Sequence, residues 1–513
     1  MARNIAFNVA ARGVLIVLSI AITPVLVRRL GTDQYGIYAL ATGLGAGLTN
    51  ILALGLIPGV VALLSRSIAR GTTAETERIV GTGFTLFAVI GVVSAVILSL
   101  LVPLLVTRVL RIPVGLQGVA AMALWLSAIG LGFNLVFAVF NAVPYALQRY
   151  DIIAGRLVGL TILSTGATVV YVLFDPDLIG VIAIQVVGGM AGLLLYFLVS
   201  RRELKGVSLL PGFDGPTFAR LARFTAFKSV GDLALVFSSR FDQFAVGSLL
   251  NIGAVGLYAI PANTCQRILQ LLYEVAAPLF PRISTVEDEQ ARRRLLLRGT
   301  RLVALIAALL TVVLLVLAEP ILRIWIGGSQ GVEVARGASL AFRLLSLAIF
   351  VQAVAAVAGF YCEAIQRPVV NNSFVVLGAI VQVPAILFLV PRYGITGAAA
   401  GVLIAGLVQT VPFLLLFADR VARVGSGRLL REAVLWPSIS AAVAGIAGSP
   451  LERFATGPLG LLAVAVAMAA VYAAMAAVTG AVRAGDLLQV QRVLPVRLES
   501  IPGHRLLLRL LRP

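Results

Sequence analysis

Charged side chains are scarce in this sequence. Only 12% of the 513 residues are Asp, Glu, Lys or Arg, whereas 60% are hydrophobic. A soluble domain carries about 25% charged residues, so this composition excludes a soluble fold. The apolar runs are long, whereas a membrane β-barrel would show short alternating strands. The sequence therefore predicts an all-α, polytopic membrane protein.

The residue types that many active sites require are also few. There are two cysteines, Cys265 and Cys362, each inside an apolar run, and His504 is the single histidine. These numbers exclude a disulfide framework, a histidine relay and a His-ligated metal centre. The sequence has no nucleotide-binding P-loop and no HExxH, GxSxG or paired CxxC motif, and every predicted outer loop is short. We therefore expect neither an enzyme nor a cofactor.

Acidic residues are outnumbered by basic ones, and the net charge is +19. Membrane proteins gather Lys and Arg in their cytoplasmic loops, which explains this excess better than nucleic-acid binding does. With the N-terminus inside, the inner segments hold most of the basic residues, including Arg201, Arg202 and the run Arg292–Arg294. This bias predicts that both termini are cytoplasmic. The first apolar run lacks a cleavage site and is interpreted as a retained helix.

Long apolar runs recur from end to end and predict about fourteen transmembrane helices. The predicted spans are residues 7–30, 36–64, 79–106, 117–142, 155–174, 178–200, 224–250, 253–281, 301–325, 338–362, 368–390, 394–418, 433–449 and 458–481.

An internal repeat organises these spans. The pentapeptide Gly36–Leu40 (GIYAL) returns 220 positions later as Gly256–Ile260 (GLYAI), and Ala146–Arg149 (ALQR) returns as Ala364–Arg367 (AIQR). Since the offset contains six helices, the copies share one topology and form a parallel pseudo-two-fold repeat. The predicted parts are an N-lobe at 1–200 (helices 1–6), a cytoplasmic linker at 201–222, a C-lobe at 223–420 (helices 7–12), additional helices 13–14 at 421–482, and a basic amphipathic tail at 483–513.

Ionisable residues occur inside several predicted spans. A charge in hydrocarbon costs at least ~2.5–3.5 kcal/mol, so these residues are expected to face a wet interior or a partner. Helical spacing places Lys228, Asp232 and Asp242 on one face, and helix 1 carries a similar stripe with Asn8 and Arg12. The predicted cavity residues that bind substrate are Asn8, Arg12, Lys228, Arg240, Asn263, Arg267, Gln270 and Arg343.

Arginine predominates in this set and indicates an anionic substrate. Its planar guanidinium offers a fork of donors that suits a phosphate or pyrophosphate headgroup. Desolvated carboxylates can load and release protons, so Asp232, Asp242 and Glu274 are candidates for ion coupling, with the ion left open between H⁺ and Na⁺. The alternative is that Lys228 with Asp232, and Arg267 with Glu274, only neutralise each other as structural pairs.

Several stretches resemble polysaccharide-transport flippases of the O-antigen type, within the multidrug/oligosaccharidyl-lipid/polysaccharide exporter superfamily. The stretches are Asn8 to Arg12, Pro24–Tyr38, Phe241–Gly247, Val255–Ala259 and Pro281. The resemblance covers about residues 1–420. It implies an inner-membrane protein that flips an undecaprenyl-pyrophosphate-linked oligosaccharide by alternating access for cell-surface polysaccharide synthesis, with Arg12, Arg28 and Asp242 at charged positions of the motif.

Three other functions stay open. A multidrug or organic-cation exporter of the same superfamily would need an acidic cavity with aromatic walls, and a membrane-bound glycan enzyme would need a larger outer loop. A non-transporting scaffold would recruit other polysaccharide-synthesis proteins through the tail. In that tail, the arginines between His504 and Arg512 suit a helix on the anionic lipids of the inner leaflet, or a partly ordered segment that only reinforces topology.

Overall fold

The structure, a computed structural model, describes residues 2–53, 56–226 and 240–482. No strand occurs in these ranges, and nine of their helices are long and apolar enough to cross a membrane. The all-α membrane class is therefore confirmed. The count of fourteen spans stays a prediction, since the helix Ile252–Ala276 and several other predicted spans are not among the nine.

The first part of the chain forms seven helices. They are α1 (Ala2–Ala53), α2 (Leu56–Ala69), α3 (Thr73–Leu104), α4 (Val114–Ala146), α5 (Tyr150–Phe174), α6 (Leu178–Glu203) and α7 (Gly215–Ala226). The remaining helices are α8 (described over 240–249), α9 (Ile252–Ala276), α10 (Leu279–Thr285), α11 (Glu289–Val316), α12 (Ala318–Ile326), α13 (Gly328–Ala364), α14 (Pro368–Leu416), α15 (Ser426–Leu429), α16 (Trp436–Gly448) and α17 (Pro458–Val478).

Two long helices are each interrupted by a glycine with positive φ. Gly31 (φ 78°) divides α1 where the sequence predicts the end of span 7–30, and Gly394 (φ 58°) divides α14 between the predicted spans 368–390 and 394–418. Glycine has no Cβ and adopts this backbone conformation at little cost. The two breaks therefore account for two predicted span boundaries inside continuous helical runs.

Several predicted boundaries are displaced, among them the starts of α11 and α13. The sequence places the start of a span at Arg301, whereas α11 begins at Glu289. Asp288 explains the difference, because its carboxylate accepts hydrogen bonds from the backbone N–H groups of Gln290 and Ala291 and so caps the helix. The added turns are basic and amphipathic, and a search for apolar runs passes over them.

The described residues form two compact units. The first comprises the described residues up to Ile260 together with Val390–Ile395, and the second comprises Pro261–Leu389 and the described residues from Thr396. In the first unit, α4 is central and packs against α1, α2, α3 and α6. In the second, α11 packs against α13 and α16. The lobe boundary at the linker stays a prediction.

The additional helices α16 and α17 belong to the second unit. They share a hydrophobic core with α11 that contains Val312, Ala444 and Met468. Tyr472 Oη donates a hydrogen bond to the carbonyl oxygen of Leu305 at 2.9 Å. The pair is thus packed tightly onto α11.

The chain reversal after α4 is reproduced after α13. Gln148 (φ 56°) and Gln366 (φ 60°) are both in the left-handed region, which residues other than glycine rarely adopt. In each case the next residue, Arg149 or Arg367, donates its backbone N–H to the carbonyl five residues back, at 2.9 and 2.8 Å. The two copies of the repeated tetrapeptide therefore end their helices with the same backbone geometry.

The two copies of the repeated Gly-x-Tyr-Ala (GxYA) motif, Gly36–Ala39 and Gly256–Ala259, contact each other within the first unit. A Cβ placed on Gly36 would collide with the carbonyl oxygen of Ile252, and one on Gly256 would collide with the carbonyl oxygen of Thr32. The backbones of α1 and α9 therefore approach each other without intervening side chains, as small residues permit in membrane helices. This close approach explains why glycine occupies both positions.

The predicted linker 201–222 is attached to α3. The N–H of Gly212 donates to the carbonyl of Gly81 at 3.2 Å, and Thr85 Oγ1 donates to the carbonyl of Gly212 at 2.9 Å. The N–H of Asp214 donates to Thr82 Oγ1 at 3.1 Å. The second half of the linker then forms α7, which packs against α2 and α3. The linker is thus an ordered part of the first unit.

We expect Gly256→Ala to destabilise the protein by ~1–3 kcal/mol, because an added methyl group must displace a backbone carbonyl. Gly166→Ala is the matched control, since nothing lies within 4 Å of a Cβ at that position of α5. The thermal midpoints of the purified proteins in detergent measure the difference. Equal midpoints for the two variants would contradict the close approach.

We expect the start of α7 to loosen in acid. Thr217 donates its hydroxyl and its backbone N–H to the Asp214 carboxylate and so lowers the pKa of that carboxyl below its ordinary value of 3.8. A lowered folded pKa adds stability at neutral pH that is lost as the pH falls below the ordinary value and through the lowered one. Hydrogen exchange of residues 207–226, corrected for intrinsic rates, should show protection at pH 7 that decreases at pH 3.

Asp214→Asn provides the control for this pH dependence. Asparagine caps a helix about as well as aspartate but does not ionise, so its protection should be the same at both pH values. Asp214→Ala should be less protected than the wild type at pH 7. Protection that falls in acid equally for wild type and Asp214→Asn would exclude Asp214 as the origin.

Candidate functional site

Arg240 opens the described part of α8 and lies against a glycine face of α1. A Cβ on Gly47 would lie 3.6 Å from Arg240 Cγ, and one on Gly43 would lie 3.9 Å from its Cδ and Nη1. These glycines are four residues apart and therefore share a helix face. The half-buried Arg240 side chain thus packs along α1 within the first unit.

Asp242, two residues after Arg240 on α8, is buried and hydrogen-bonded. Its side chain is 7% exposed, Tyr258 Oη donates to Oδ2 at 2.7 Å, and the backbone N–H of Gln243 donates to Oδ1 at 2.8 Å. Tyr258 is itself fully buried and belongs to the repeated GxYA motif. The carboxylate therefore joins α8 to α9 as well as being a candidate for ion coupling, which stays a prediction.

The second half of α9 carries a polar stripe within the second unit. Its members are Asn263, Arg267, Gln270 and Glu274, spaced at three and four residues along one helix. Arg267 and Gln270 are exposed, and Arg267 Nη1 donates to Gln270 Oε1 at 3.3 Å. The neutral Gln270 holds the Arg267 side chain in place, and the other guanidinium donors of Arg267 are available to a ligand.

Arg343 lies on α13 of the same unit and is half-buried. Its Nε is buried and donates no hydrogen bond within the described part of the chain. A buried guanidinium donor without an acceptor is costly, and an anionic ligand would provide one. Arg343 therefore suits the substrate-binding role that the sequence predicts.

The side chains of four predicted site residues lie outside the described part of the structure. Asn8 and Arg12 lie on α1, but their side chains are outside the described part of the structure, as are Lys228 and Asp232 altogether. Arg240 and Asp242 belong to the first unit, whereas the stripe of α9 and Arg343 belong to the second. Their convergence on one cavity stays a prediction.

The structure also contains a pocket that sequence reasoning missed. It lies inside the first unit between α1, α4 and α6 and has a volume of about 350 Å³. Its polar lining residues are Thr42, Thr49, Asn50, Ser127, Asn134 and Gln185. The sequence signal for this pocket is the presence of neutral polar residues in three apolar helices. A prediction based on charged residues alone does not find it.

Four of these side chains each donate one hydrogen bond to another group of the protein. Thr42, Thr49 and Asn134 each donate to the carbonyl four residues earlier in the same helix, at 2.7, 2.8 and 2.9 Å. Gln185 Nε2 donates to Tyr38 Oη at 2.7 Å. The side-chain oxygens therefore keep their lone pairs as acceptors.

Comparison with known families adds to this geometry. Residues 25–332 match the model of the family described as "Polysaccharide biosynthesis protein". The chain belongs to this family. A relative from Shigella flexneri named "Putative O-antigen transporter" is 21% identical over 402 residues, which are 77% of this chain and 93% of the relative. A Bacillus subtilis relative, "Uncharacterized membrane protein EpsK", is 22% identical over 336 residues, 64% of this chain and 65% of the relative.

Solved structures agree on the fold. An inward closed conformation of the lipid II flippase MurJ has a TM-score of 0.75 at 13% identity and covers 92% of this chain and 98% of its own. An inward-facing multidrug resistance MATE transporter has a TM-score of 0.63 at 13% identity, with 82% and 96% covered. The predicted resemblance is confirmed: the chain is a polytopic membrane transporter of the polysaccharide flippase type. The relatives whose names state a function are named as transporters or flippases.

We expect Tyr258→Phe to destabilise the protein by ~1–3 kcal/mol, because it leaves a buried carboxylate oxygen of Asp242 without its donor. Thermal midpoints measure this loss. Tyr393→Phe is the control, since that ring is 64% exposed. If Tyr258→Phe unfolds at the wild-type midpoint, the hydrogen bond does not hold α8 to α9.

Proposed function

We propose that this protein flips an undecaprenyl-pyrophosphate-linked oligosaccharide from the inner to the outer leaflet of the bacterial inner membrane by alternating access. Both termini face the cytoplasm in this proposal. The family match and the relative named as an O-antigen transporter support it, and the match to a lipid II flippase, at 13% identity, supports the fold. The finer description of the substrate goes beyond those names and rests on the chemistry of the site.

Such a substrate requires a protein path. Its hydroxyls and pyrophosphate would lose their hydrogen bonds to water across ~30 Å of hydrocarbon. The polyprenyl tail has no such cost and remains in lipid. The protein therefore has to enclose only the headgroup, and a cationic surface inside a transporter serves this purpose.

The observation that carries the proposal is the exposed guanidinium of Arg267. It lies well inside a 25-residue helix, and its hydrogen-bond partner Gln270 is neutral, so its charge is not cancelled by that contact. Arg343 in the same unit has a buried Nε donor to satisfy. Guanidinium groups remain charged when partly desolvated and bind phosphate oxygens through two parallel donors. These features favour an anionic headgroup.

Transport against a gradient needs an energy source. We expect an ion gradient to supply it, with Asp232, Asp242 and Glu274 as the candidate carboxylates and H⁺ or Na⁺ as the ion. The protein would then act as an antiporter. A carboxylate can couple the two flows because it binds a cation in one state and releases it in the other.

The runner-up function is export of organic cations. MATE transporters share the fold, but at 13% identity this similarity shows the fold alone. An organic-cation site requires acidic or aromatic walls. The exposed arginine of α9 favours the anionic substrate instead. A scaffold that transports nothing is the remaining alternative, and an export assay distinguishes it.

We expect Arg267→Ala to reduce glycan export by ~10–100-fold, because a hydrogen bond to a charged group contributes ~1.5–3 kcal/mol. Arg267→Lys should restore part of it, since lysine keeps the charge but loses the planar fork. Cell-surface glycan is measured in the native host deleted for the gene and supplied with each variant. Membrane abundance is measured in parallel.

Arg428→Ala is the matched control, because Arg428 forms a surface ion pair with Glu432 at 2.9 Å. It should export like the wild type. If Arg267→Ala exports as much glycan as the wild type does, the role of Arg267 is purely structural. Loss of organic-cation efflux, with no loss of glycan, would support the multidrug alternative.

A further inference from the structure

The neutral pocket between α1, α4 and α6 has no part in the proposal above. We propose that it is a subsite for an uncharged sugar residue of the transported glycan, which it binds through the sugar's hydroxyl groups. This inference rests on the proposed function and deepens it. It assigns the sugar to the first unit by chemistry that differs from that of the arginines.

The lining of the pocket carries neither charge nor aromatic rings. No ionisable and no aromatic residue is among the residues that line the pocket. An anionic phosphate requires positive charge or several free donors, and an organic cation requires carboxylates or aromatic faces. The pocket therefore suits neither the headgroup of the lipid carrier nor a cationic drug. A neutral polar ligand fits its composition.

The hydrogen bonds of the lining leave more acceptors than donors free. The hydroxyl donors of Thr42 and Thr49 are occupied by groups of the protein, and so is one of the two N–H donors of Asn134 and of Gln185. The oxygens of all four side chains can accept a hydrogen bond, and each amide keeps a second N–H. Such a surface is complementary to sugar hydroxyls, which donate and accept. Ser127 adds a hydroxyl that can both donate and accept.

The pocket includes a polar side chain from the interior of a membrane-spanning helix. Asn134 lies well inside α4, one of the nine helices able to cross the membrane, and its side chain is exposed. An exposed amide facing hydrocarbon would lose its hydrogen bonds at considerable cost. The space beside it must therefore hold water or a polar ligand. Asn50, which is also exposed, extends the same polar surface on α1.

The size of the pocket agrees with this ligand. Its volume of about 350 Å³ is within the ~300–1,000 Å³ of small-molecule sites. A dehydrated metal cation needs oxygen ligands at only ~2.0–2.6 Å, so a cavity of this volume is too wide to surround one closely. The pocket thus accommodates a ring with hydroxyls, and a bare ion would leave most of it empty.

Protection of an introduced thiol tests the proposal. Asn50→Cys places a reactive group at an exposed position of the pocket, while the native Cys265 and Cys362 are buried. The full-length protein in lipid nanodiscs is labelled with N-ethylmaleimide. The probes are D-galactose, D-mannose and N-acetyl-D-glucosamine, each added alone, and sodium pyrophosphate and tetraphenylphosphonium are added in separate reactions. At least one sugar should slow labelling about tenfold at saturation, whereas pyrophosphate and the organic cation should not.

Variants of the lining residues relate this protection to the pocket. Thr42→Val and Asn134→Leu remove one acceptor each at similar volume. Together they should raise the sugar concentration needed for half-protection about tenfold, which corresponds to ~1.4 kcal/mol. Thr168→Val on α5 is the matched control: Thr168 is buried and donates to the carbonyl of Ser164 at 2.8 Å in the same way, but it does not line the pocket. It should leave protection unchanged.

Failure of the subsite and failure of the proposed function give different results. If no sugar slows labelling, or if pyrophosphate or the organic cation slows it as much as a sugar does, the subsite is wrong. The subsite is also wrong if the double variant Thr42→Val with Asn134→Leu needs the same sugar concentration for half-protection as the wild type. If the double variant does not fold, the single variant Thr49→Val replaces it. Loss of the gene without loss of surface glycan would overturn the proposed function instead.

Discussion

The cost of a polar group without a partner in hydrocarbon determines most of this structure. Backbone groups avoid that cost by hydrogen-bonding within helices, and hydroxyl and amide side chains avoid it by donating to a carbonyl of their own helix one turn back. Thr42, Thr49 and Asn134 do so in the first unit. Buried carboxylates need a partner from elsewhere, which Tyr258 supplies to Asp242. The polar groups that remain exposed, above all on α9 and in the pocket, are therefore the informative ones.

The neutral pocket and the arginines represent two solutions to one recognition problem. A lipid-linked glycan presents charge at one end and a dense array of hydroxyls at the other. Guanidinium groups recognise the first through charge-assisted hydrogen bonds, and uncharged acceptors recognise the second. A strongly charged surface would bind the carrier of every such glycan equally. In the proposed function, discrimination among sugars therefore falls to neutral contacts like those of Asn134 and Gln185.

Much of the fold was predictable because it follows from hydropathy and from glycine. Gly31 and Gly394 interrupt helices where the sequence indicates span boundaries, and the repeat motifs share their backbone conformation. The early start of α11 was missed, because Asp288 caps a helix whose first turns are too polar to count as a span. Charge and helical spacing predict Arg267, Gln270 and Arg343 as site residues, and this role stays a prediction. The pocket was not predicted, because neutral residues acquire meaning only when helices distant in sequence bring them together.

The matching left-handed glutamines after α4 and α13 carry information about origin. Nothing in side-chain chemistry requires Gln148 and Gln366 to adopt the same rare conformation at equivalent positions. Together with the matching ALQR and AIQR sequences, the shared geometry supports a tandem duplication of an ancestral six-helix segment. At these two helix ends, the common origin of the halves is recorded in the amino acids and in the torsion angles alike.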